Sequence, residues 1–514
     1  MTKKNIELIT ISLLILYSIY CSLVIGPSWD EFYHYKNGEN IFKYIFSFGS
    51  REYTSANFKF HFGLYDFLAT FFSKNFTSNY IVQSHHIFNL IFSILSVFGV
   101  YQVSKILFNR AVGKIAFIIC FLNPIYFGHF SINPKDTIIA FCYIWIFCIS
   151  IKYLLTQNNN KYLFYLILLI SLGLSIRLTF IATLVPIFII IIVNIFFKNE
   201  FIIKKLIKLL RDLFLIIVFS FIITILFWPD THSNLINLPF IYIKNYFILF
   251  MKSDFGLPVG LFNGEFYEVS KTPFNYIFVS FFYKMPIYLL FSIFLLPLLF
   301  IDKNFFLSNK IKKINILFLL LQIIFPVLLI FLFKPGITDG IRYFLYFIPL
   351  ISILSALSIH YLFSSRYKII KVIISFLFII NIFIFFKLTP YQYIYSNNLN
   401  GKFSNYFNKY EIDYWGVSIK ELLSKAKNDK IFKINKSYRI ATCGVNTQIV
   451  KYYLDRDFIF EYKFVNSNET YDYIIFVNRV YNEKDNLDLN NVKTCYSNFF
   501  KNDIVTIERN GLPI

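Results

Sequence analysis

Two adjacent carboxylates, Asp30 and Glu31, follow the first apolar segment of the chain, with His34 close behind them. A carboxylate that is partly removed from water has a raised pKa, and such a group can act as a general base towards a hydroxyl. A carboxylate at this position could therefore have a raised pKa and serve as a general base. Acids that merely end a helix would leave the same pattern, so the motif by itself leaves both interpretations open.

A second polar group, Asn133-Pro134-Lys135-Asp136, separates two apolar segments, and His129 lies just before it. Pro134 stops one helix, and Asp136 then lies at the N-terminus of the next helix, where the helix dipole favours an anion. Helix capping is a sufficient structural explanation for Asp136. Lys135 could instead pair with an anionic substrate.

Two further groups place basic side chains beside apolar sequence. Arg177 lies between two very apolar stretches, where it needs a phosphate or carboxylate partner unless it extends to the membrane interface. Asp339 and Arg342 lie three residues apart at the start of another apolar segment, where they could form a simple ion pair. Neither group is decisive alone.

The composition indicates the class of protein that positions these groups. Hydrophobic residues form 57% and charged residues only 15% of the 514 residues, whereas soluble domains carry about 25% charged residues. No water-soluble fold can bury that much apolar surface. This excludes a soluble enzyme, a disordered regulator, a secreted disulfide scaffold and a DNA-binding domain.

Apolar segments long enough to cross a bilayer recur along the chain. A helix of about 20 apolar residues satisfies its own backbone hydrogen bonds and spans the hydrocarbon. We predict about eleven such spans, near residues 6–25, 81–103, 112–131, 137–155, 161–176, 178–197, 211–229, 275–301, 313–334, 342–364 and 369–388. The aromatic stretches near 40–48 and 60–73 are too short to span and are expected to lie in the interface plane.

The net charge of +21 is explained by topology. With the N-terminus cytoplasmic, the inner loops hold nineteen Lys and Arg residues against four acids, as the positive-inside rule requires. A nucleic-acid partner is therefore not expected. We predict a multi-pass protein of the bacterial inner (plasma) membrane whose first segment is a retained anchor, because Gly26-Pro27-Ser28-Trp29 is a poor cleavage site.

The outer side is predicted to comprise loops 26–80 and 230–274 and the polar tail 389–514. In the tail, residues 438–442, 458–464, 473–477 and 504–507 read as strands and 448–454 as a helix, which predicts a small α/β domain after a transmembrane domain at 1–388. Cys443 and Cys495 both lie in this tail and could pair if that side is oxidising. The fold class is thus a polytopic α-helical membrane protein with a small C-terminal α/β extracytoplasmic domain.

The four polar groups fall on one membrane face, contributed by four different loops. A substrate with a phosphate at the interface would use such a set of acids and cations. A polyprenyl-phosphate sugar fits, because its chain dissolves in the bilayer while its sugar projects outward. Cations would stabilise the departing phosphate, and a carboxylate would take the proton of the acceptor hydroxyl.

A series of motifs in a fixed order also resembles the membrane glycosyltransferases of the GT-C superfamily, on the protein O-mannosyltransferase and aminoarabinose-transferase side. The resemblance extends over about 400 residues and is closest to an uncharacterised bacterial branch. The motifs that carry it are Asp30-Glu31, Asn133-Pro134-Lys135-Asp136, Trp228-Pro229-Asp230, residues 261–265, residues 271–276 with Lys284-Met285-Pro286, residues 339–343, residues 390–393 and Asp413-Tyr414-Trp415-Gly416.

The resemblance implies a polyprenyl-phosphate sugar donor, inversion at the anomeric carbon and an extracytoplasmic site. It implies Asp30 as the catalytic base with Glu31 beside it, and Asp136 as the second acid. Lys135, Arg177 and Arg342 are then the contacts to the donor phosphate, while the supporting residues are His34, His129, Glu265 and Asp339. Some GT-C members use a divalent metal, and His34, His129 and Glu265 could serve as ligands, but their spacing is not diagnostic and no metal is assigned.

The acceptor stays open between a lipid, a glycan and a protein, because the outer tail departs from that of the mannosyltransferases. Two alternatives to an inverting glycosyltransferase also stay open. A transporter or flippase of lipid-linked sugars would need ionisable residues deep in the bundle, and the predicted spans hold almost no acids there. A non-catalytic envelope scaffold would tolerate loss of Asp30.

Overall fold

A computed structural model describes residues 3–53, 62–156, 160–197, 202–251, 258–302, 313–365, 367–434, 436–481, 489, 491–500 and 504–514. Parts of the predicted inner loops near 198–211, 303–313 and 366–371, and of the two outer loops, lie outside these ranges.

Helices dominate the region before residue 389. In chain order they are α1 (Lys3–Val24), α2 (Glu31–Phe46), α3 (Leu64–Ser73), α4 (Ile81–Leu107), α5 (Arg110–Phe121), α6 (Pro124–Gly128), α7 (Asp136–Thr156), α8 (Asn160–Ile176), α9 (Phe180–Phe197), α10 (Ile202–Leu226), α11 (Asn237–Met251), α12 (Tyr276–Lys284), α13 (Ile287–Phe294), α14 (Leu298–Ile301), α15 (Lys313–Phe333), α16 (Phe347–Ser364) and α17 (Lys368–Lys387).

Seven helices in the described part of the chain are long and apolar enough to cross a membrane, namely α1, α4, α7, α10, α15, α16 and α17. An eighth span is added if α12 and the helical stretch Ile287–Ile301 count as one, although they meet at an angle of 116°. Helices α8 and α9 are apolar but shorter. The protein is therefore a polytopic α-helical membrane protein, as predicted, with seven or eight candidate spans in the described residues where about eleven were predicted.

Prolines divide two of the predicted spans. The segment predicted at 112–131 stops at Phe121 and restarts as α6, because Pro124 occupies the first helical position and the Asn123 side chain accepts a hydrogen bond from the Tyr126 amide at 3.0 Å. The segment predicted at 275–301 bends at Met285-Pro286, since proline cannot donate the backbone hydrogen bond that a continuous helix needs. The predicted break at Arg177 is present between α8 and α9.

A hairpin of two strands, β1 (Val259–Phe262) and β2 (Glu265–Glu268), lies before the tail. The tail itself contains three parallel strands, β3 (Ser437–Cys443), β4 (Glu461–Val465) and β5 (Tyr473–Phe476). They form one sheet in the order β4–β3–β5. Helices α18 (Ile419–Asn428) and α19 (Thr447–Asp457) pack with this sheet around one apolar cluster. Short pairs follow as β6 (Val480–Tyr481) with β7 (Lys493–Thr494) and β8 (Glu508–Arg509) with β9 (Leu512–Pro513), and the short helix α20 (Cys495–Phe499) lies between them.

The predicted strand at 504–507 is wrong. The strand pair forms later, around Asn510-Gly511, because both residues have positive φ angles of 53° and 76° and thus make a two-residue hairpin turn between β8 and β9. The other predicted strands and the helix are present, with β4 starting at Glu461 rather than 458. Cys443 and Cys495 form a disulfide.

The tail joins the helical region before it forms a core of its own. Apolar side chains from Tyr391 to Val417 belong to the core of the membrane helices, whereas Ile419 begins the separate cluster of the sheet. Gly128 of α6 allows the close approach, since a Cβ there would lie 2.1 Å from the Tyr393 amide nitrogen. We propose that the boundary between the two regions lies near Ser418, later than the predicted residue 389.

Candidate functional site

A cavity of about 330 Å³ opens where α2, α7 and α9 begin and where the chain enters α16. Its charged lining consists of the carboxylates Asp30 and Asp136 and the cations Lys135, Arg177 and Arg342. Apolar side chains of α15 complete one wall, among them Leu329 and Ile330. One part of the cavity wall therefore consists of acidic and basic side chains, and another part, from α15, is apolar.

Asp30 is paired with Lys135, whose Nζ lies 2.9 Å from Asp30 Oδ2. The Asp30 side chain keeps 27% of its surface exposed, towards the cavity. Burial raises the pKa of Asp30, but the charges of Lys135 and Arg342 outweigh burial and hold the pKa well below its usual range. The raised pKa that the motif suggested is therefore not found at Asp30, because the sequence motif did not reveal its cationic neighbours.

Asp136 is the first residue of α7, as predicted, and it is also an ion-pair partner. Arg177 lies 2.8 Å from Asp136 Oδ1, and the Asn133 amide donates to Asp136 Oδ2 at 3.0 Å. Asn133 Oδ1 in turn accepts from the backbone amides of Lys135 and Asp136 at 3.1 and 2.8 Å. Asn133 thus fixes the turn that places the carboxylate of Asp136 and the ammonium group of Lys135 at the same cavity.

Tyr343 brings two guanidinium groups together. The carbon centres of Arg177 and Arg342 lie 4.7 and 4.6 Å from the centroid of its ring. Arg342 also lies 5.7 Å from the Trp415 ring and pairs with Asp339 at 2.9 Å. Arg342 Nη2 also donates to the Tyr343 hydroxyl at 2.7 Å, whereas the buried Nε of Arg342 has no hydrogen-bond partner among the described residues and is available for an oxyanion.

Arg479 and Glu411, from the tail, complete the surroundings of Asp339. Arg479 lies 3.0 Å from Asp339 Oδ1 and 3.5 Å from Glu411 Oε1. Burial raises the pKa of Glu411 to about 7, although the Arg479 guanidinium acts in the opposite direction. The tail is therefore bound to the membrane region through charges that line the back of the site.

Five of the sequence-predicted site residues do not line this cavity, namely Glu31, His34, His129, Glu265 and Asp339. His34 is paired with Asp66 at 2.8 Å, and His129 contacts the Tyr414 hydroxyl at 3.2 Å. Glu265 is an exposed residue of the β1–β2 hairpin. Asp339 lies behind Arg342 rather than in the cavity wall.

Glu31 is the start of a separate buried polar cluster, although it is adjacent to Asp30. Its carboxylate accepts from Ser28 at 3.0 Å and from Tyr35, and it lies 3.0 Å from His86 Nε2. His86 Nδ1 faces the Ser22 carbonyl at 3.0 Å, so this nitrogen carries a proton. Glu31 and His86 therefore join the start of α2 to α1 and α4.

The residues do not fit a metal centre. In the part of the chain that the structure describes, no group of three or more His, Cys, Asp or Glu side chains is arranged to hold a metal ion. The candidate ligands His34, His129 and Glu265 have the different surroundings described above. We derive no step through a metal.

Sequence reasoning missed Arg479, Glu411, Lys284 and Trp415. The motifs that contain Lys284 and Trp415 were recognised by resemblance, but nothing in the local sequence assigned them a place in the site. Arg479 and Glu411 lie in a polar tail where charged residues are ordinary. Only their burial, 7% and 8% exposed, separates them from surface charges.

Comparison with known proteins gives one family match. Residues 64–228 match the model of the dolichyl-phosphate-mannose-protein mannosyltransferase family. This range includes Lys135, Asp136 and Arg177. No curated protein matches the chain.

Two solved structures are similar at low identity. ArnT from Cupriavidus metallidurans bound to undecaprenyl phosphate has a TM-score of 0.48 and 11% identity, covering 70% of this chain and 61% of that one. An oligosaccharyltransferase from Archaeoglobus fulgidus has a TM-score of 0.41 and 13% identity, covering 83% and 61%. The chain thus spans about three fifths of the length of either protein. The family match over residues 64–228 agrees with the protein O-mannosyltransferase side of the resemblance that the motifs indicated.

Proposed function

We propose that this protein is an inverting glycosyltransferase that moves a sugar from a polyprenyl-phosphate donor to an extracytoplasmic acceptor. The observation that carries the proposal is the single cavity lined by Asp30, Lys135, Asp136, Arg177 and Arg342, with an apolar flank. The family match over residues 64–228 supports the same reaction class.

Asp30 is the proposed general base. The acceptor oxygen attacks the anomeric carbon on the face opposite the phosphate, the bond from that carbon to the phosphate oxygen breaks, and the phosphate leaves with the electron pair. Asp30 takes the hydroxyl proton, and the anomeric configuration inverts. Its ion pair with Lys135 keeps the carboxylate ionised, so the base is ready at neutral pH.

The three cations would receive the charge that develops on the leaving phosphate. Arg177 and Arg342 are held beside each other by Tyr343, and an arginine has five N–H donors, so each can keep its carboxylate while binding a phosphate oxygen. Asp136 positions Arg177 in this account. The apolar side chains of α15 would accept the first part of the polyprenyl chain.

The proposed location is the inner membrane of a bacterium, with the N-terminus cytoplasmic and the tail outside. The Lys and Arg bias of the loops supports this orientation. A transporter or flippase finds no comparable support, because the charged residues of the cavity come from helix ends and loops rather than from mid-helix positions.

The test is a transfer assay with the full-length protein in liposomes. Polyprenyl-phosphate sugars labelled in the sugar are supplied as a panel, with membrane lipids and envelope glycans of cells that lack the protein as acceptors. We expect label to pass to an acceptor with inverted configuration, and Asp30→Asn to slow transfer by about 10³-fold. Unchanged turnover in Asp30→Asn would refute the mechanism, and movement of intact donor across the bilayer would favour the transporter.

A further inference from the structure

A second, smaller chamber lies behind Arg342, on the side away from Asp30. Arg342 lines both spaces, so the chamber is directly adjacent to the main cavity. The chamber measures about 20 Å³, room for one or two water molecules. The polar side chains that line it include Lys284, His129, Asp339, Glu411 and Tyr414.

Lys284 is the unusual member of this set. It is the last residue of α12, before the bend at Met285-Pro286, and only 7% of its surface is exposed. Within the described ranges it makes no ion pair and no hydrogen bond. Its Nζ instead lies 4.9 and 5.9 Å from the ring centroids of Tyr406 and Tyr410.

The nearby carboxylates are already occupied. Asp339 is shared by Arg342 and Arg479, while Glu411 faces Arg479 and accepts from the Val480 amide at 3.0 Å. Three basic side chains therefore surround two acids at this chamber, and Lys284 is the basic side chain without a partner among the residues described. Contacts with two rings offset only part of the cost of removing an ammonium group from water.

We propose that the chamber is a subsite for an oxyanion, a carboxylate or phosphate group carried by a substrate, with Lys284 as its main contact. The proposal deepens the proposed function, on which it rests, because it means that one substrate is anionic beyond the donor phosphate. The oxyanion replaces the water in the chamber and supplies the charge that balances Lys284. Because Arg342 lines both the chamber and the main cavity, the oxyanion would lie next to the proposed site of the donor phosphate.

The test uses the full-length protein in detergent at constant ionic strength, with inorganic phosphate and acetate as probes and calorimetric titration as the measurement. We expect Lys284→Met to weaken binding of at least one probe about tenfold or more, since a charge-assisted contact is lost. Lys271→Met is the matched control, because Lys271 lies in the same predicted outer region, its side chain is 76% exposed, and its partner among the described residues is Glu268. Equal binding by Lys284→Met and by the unaltered protein would overturn the proposal.

Thermal unfolding separates an anion site from a structural lysine. In buffer without probe, Lys284→Met should be as stable as the unaltered protein or more so, because a buried amine without a hydrogen-bond partner among the described residues has been replaced by an apolar side chain. The stabilisation that the probe gives should disappear in Lys284→Met and persist in Lys284→Arg. A lower unfolding temperature for Lys284→Met without any probe effect in the unaltered protein would assign Lys284 a structural role and contradict the proposal.

Two further arms keep this proposal distinct from the proposed function. Arg177→Met should lose phosphate binding in the main cavity and retain the Lys284-dependent site. The two variants therefore test the main cavity and the chamber separately, and a negative result for one site does not affect the conclusion about the other. Saturation with polyprenyl phosphate before titration identifies the source of the oxyanion. If the Lys284-dependent site persists, an anionic group other than the donor phosphate occupies it, as proposed. If the site is lost, the donor phosphate itself occupies the chamber, and the proposal is overturned.

Discussion

Asp30 and Glu31 are neighbours in sequence, yet they belong to two regions with opposite properties. Asp30 opens into a cavity of about 330 Å³ and shares it with three cations. Glu31 is 2% exposed and borders a space of only about 10 Å³, where Tyr35 and His86 contact its carboxylate. The region around Asp30 has room for a substrate, and the region around Glu31 has none.

The difference assigns two functions to one motif. A catalytic carboxylate must contact the reacting atoms, and only Asp30 has access to a space that holds them. Glu31 is instead a proposed positioning residue, because its bonds to His86 and Ser28 fix the beginning of α2, where Asp30 lies. Changes on the Asp30 side should thus reduce activity in a stable protein, and changes on the Glu31 side should reduce stability first.

The largest effect on the cavity side, after loss of the base itself, is expected for Arg177→Met. Removal of this cation should lower kcat by about 10²- to 10³-fold, because the developing phosphate charge loses a preorganised donor. The measurement is the rate of sugar transfer at saturating donor. A loss confined to KM would show that Arg177 only binds the ground state.

On the Glu31 side, Glu31→Ala should cost about 3 kcal/mol of stability, since it leaves His86 buried without its partner. Thermal unfolding in detergent checks this value. The milder Glu31→Gln keeps one acceptor and should lie between Glu31→Ala and the unaltered protein. If Glu31→Ala were as stable as the unaltered protein and its kcat fell as far as that of Arg177→Met, Glu31 would act in catalysis rather than in stability. This would contradict the difference proposed between the two regions.

Removal of Lys135 should change the pH dependence. The pKa of Asp30 is held below its usual range, so Asp30 stays ionised as pH falls, and its ion pair is lost only when pH passes below that lowered pKa. In Lys135→Met the pKa rises, and the acidic limb of kcat/KM should move to higher pH. The pH profile of kcat/KM for Lys271→Met is the control. If the acidic limb of this profile were not shifted in Lys135→Met, the ion pair of Asp30 and Lys135 would have no role in catalysis.

The smallest effect is expected for the exposed pair of Glu268 and Lys271, whose charged atoms are 2.8 Å apart. Glu268→Gln should leave transfer within about twofold, because an exposed ion pair three residues apart contributes little. The Glu268→Gln variant thus shows how much activity is lost when an acid outside the cavity is neutralised. A large loss there would mean that the outer hairpin takes part in catalysis.

The membrane fold and the cations of the cavity could be predicted from the sequence, because each leaves a local signal. Apolar runs and loop charges report the bilayer directly, and Arg177 stands out because its neighbours are apolar. The bend at Met285-Pro286 has a local cause, the proline, which the span prediction did not use. The pairing of Arg479 with Asp339 depends on contacts between distant segments, which no local pattern contains. For the same reason, the environment of Asp30 could be predicted only in part, and the direction of its pKa shift could not be predicted.

A direct comparison of Asp30→Asn with Glu31→Gln tests the central claim, that Asp30 alone of the two carboxylates takes the acceptor proton. Both variants change one oxygen to nitrogen at adjacent positions, and single-turnover transfer is measured on folded protein with saturating donor. We expect Asp30→Asn to be slower than the unaltered protein by about 10³-fold and Glu31→Gln by about tenfold or less. A slower rate for Glu31→Gln than for Asp30→Asn would contradict the account.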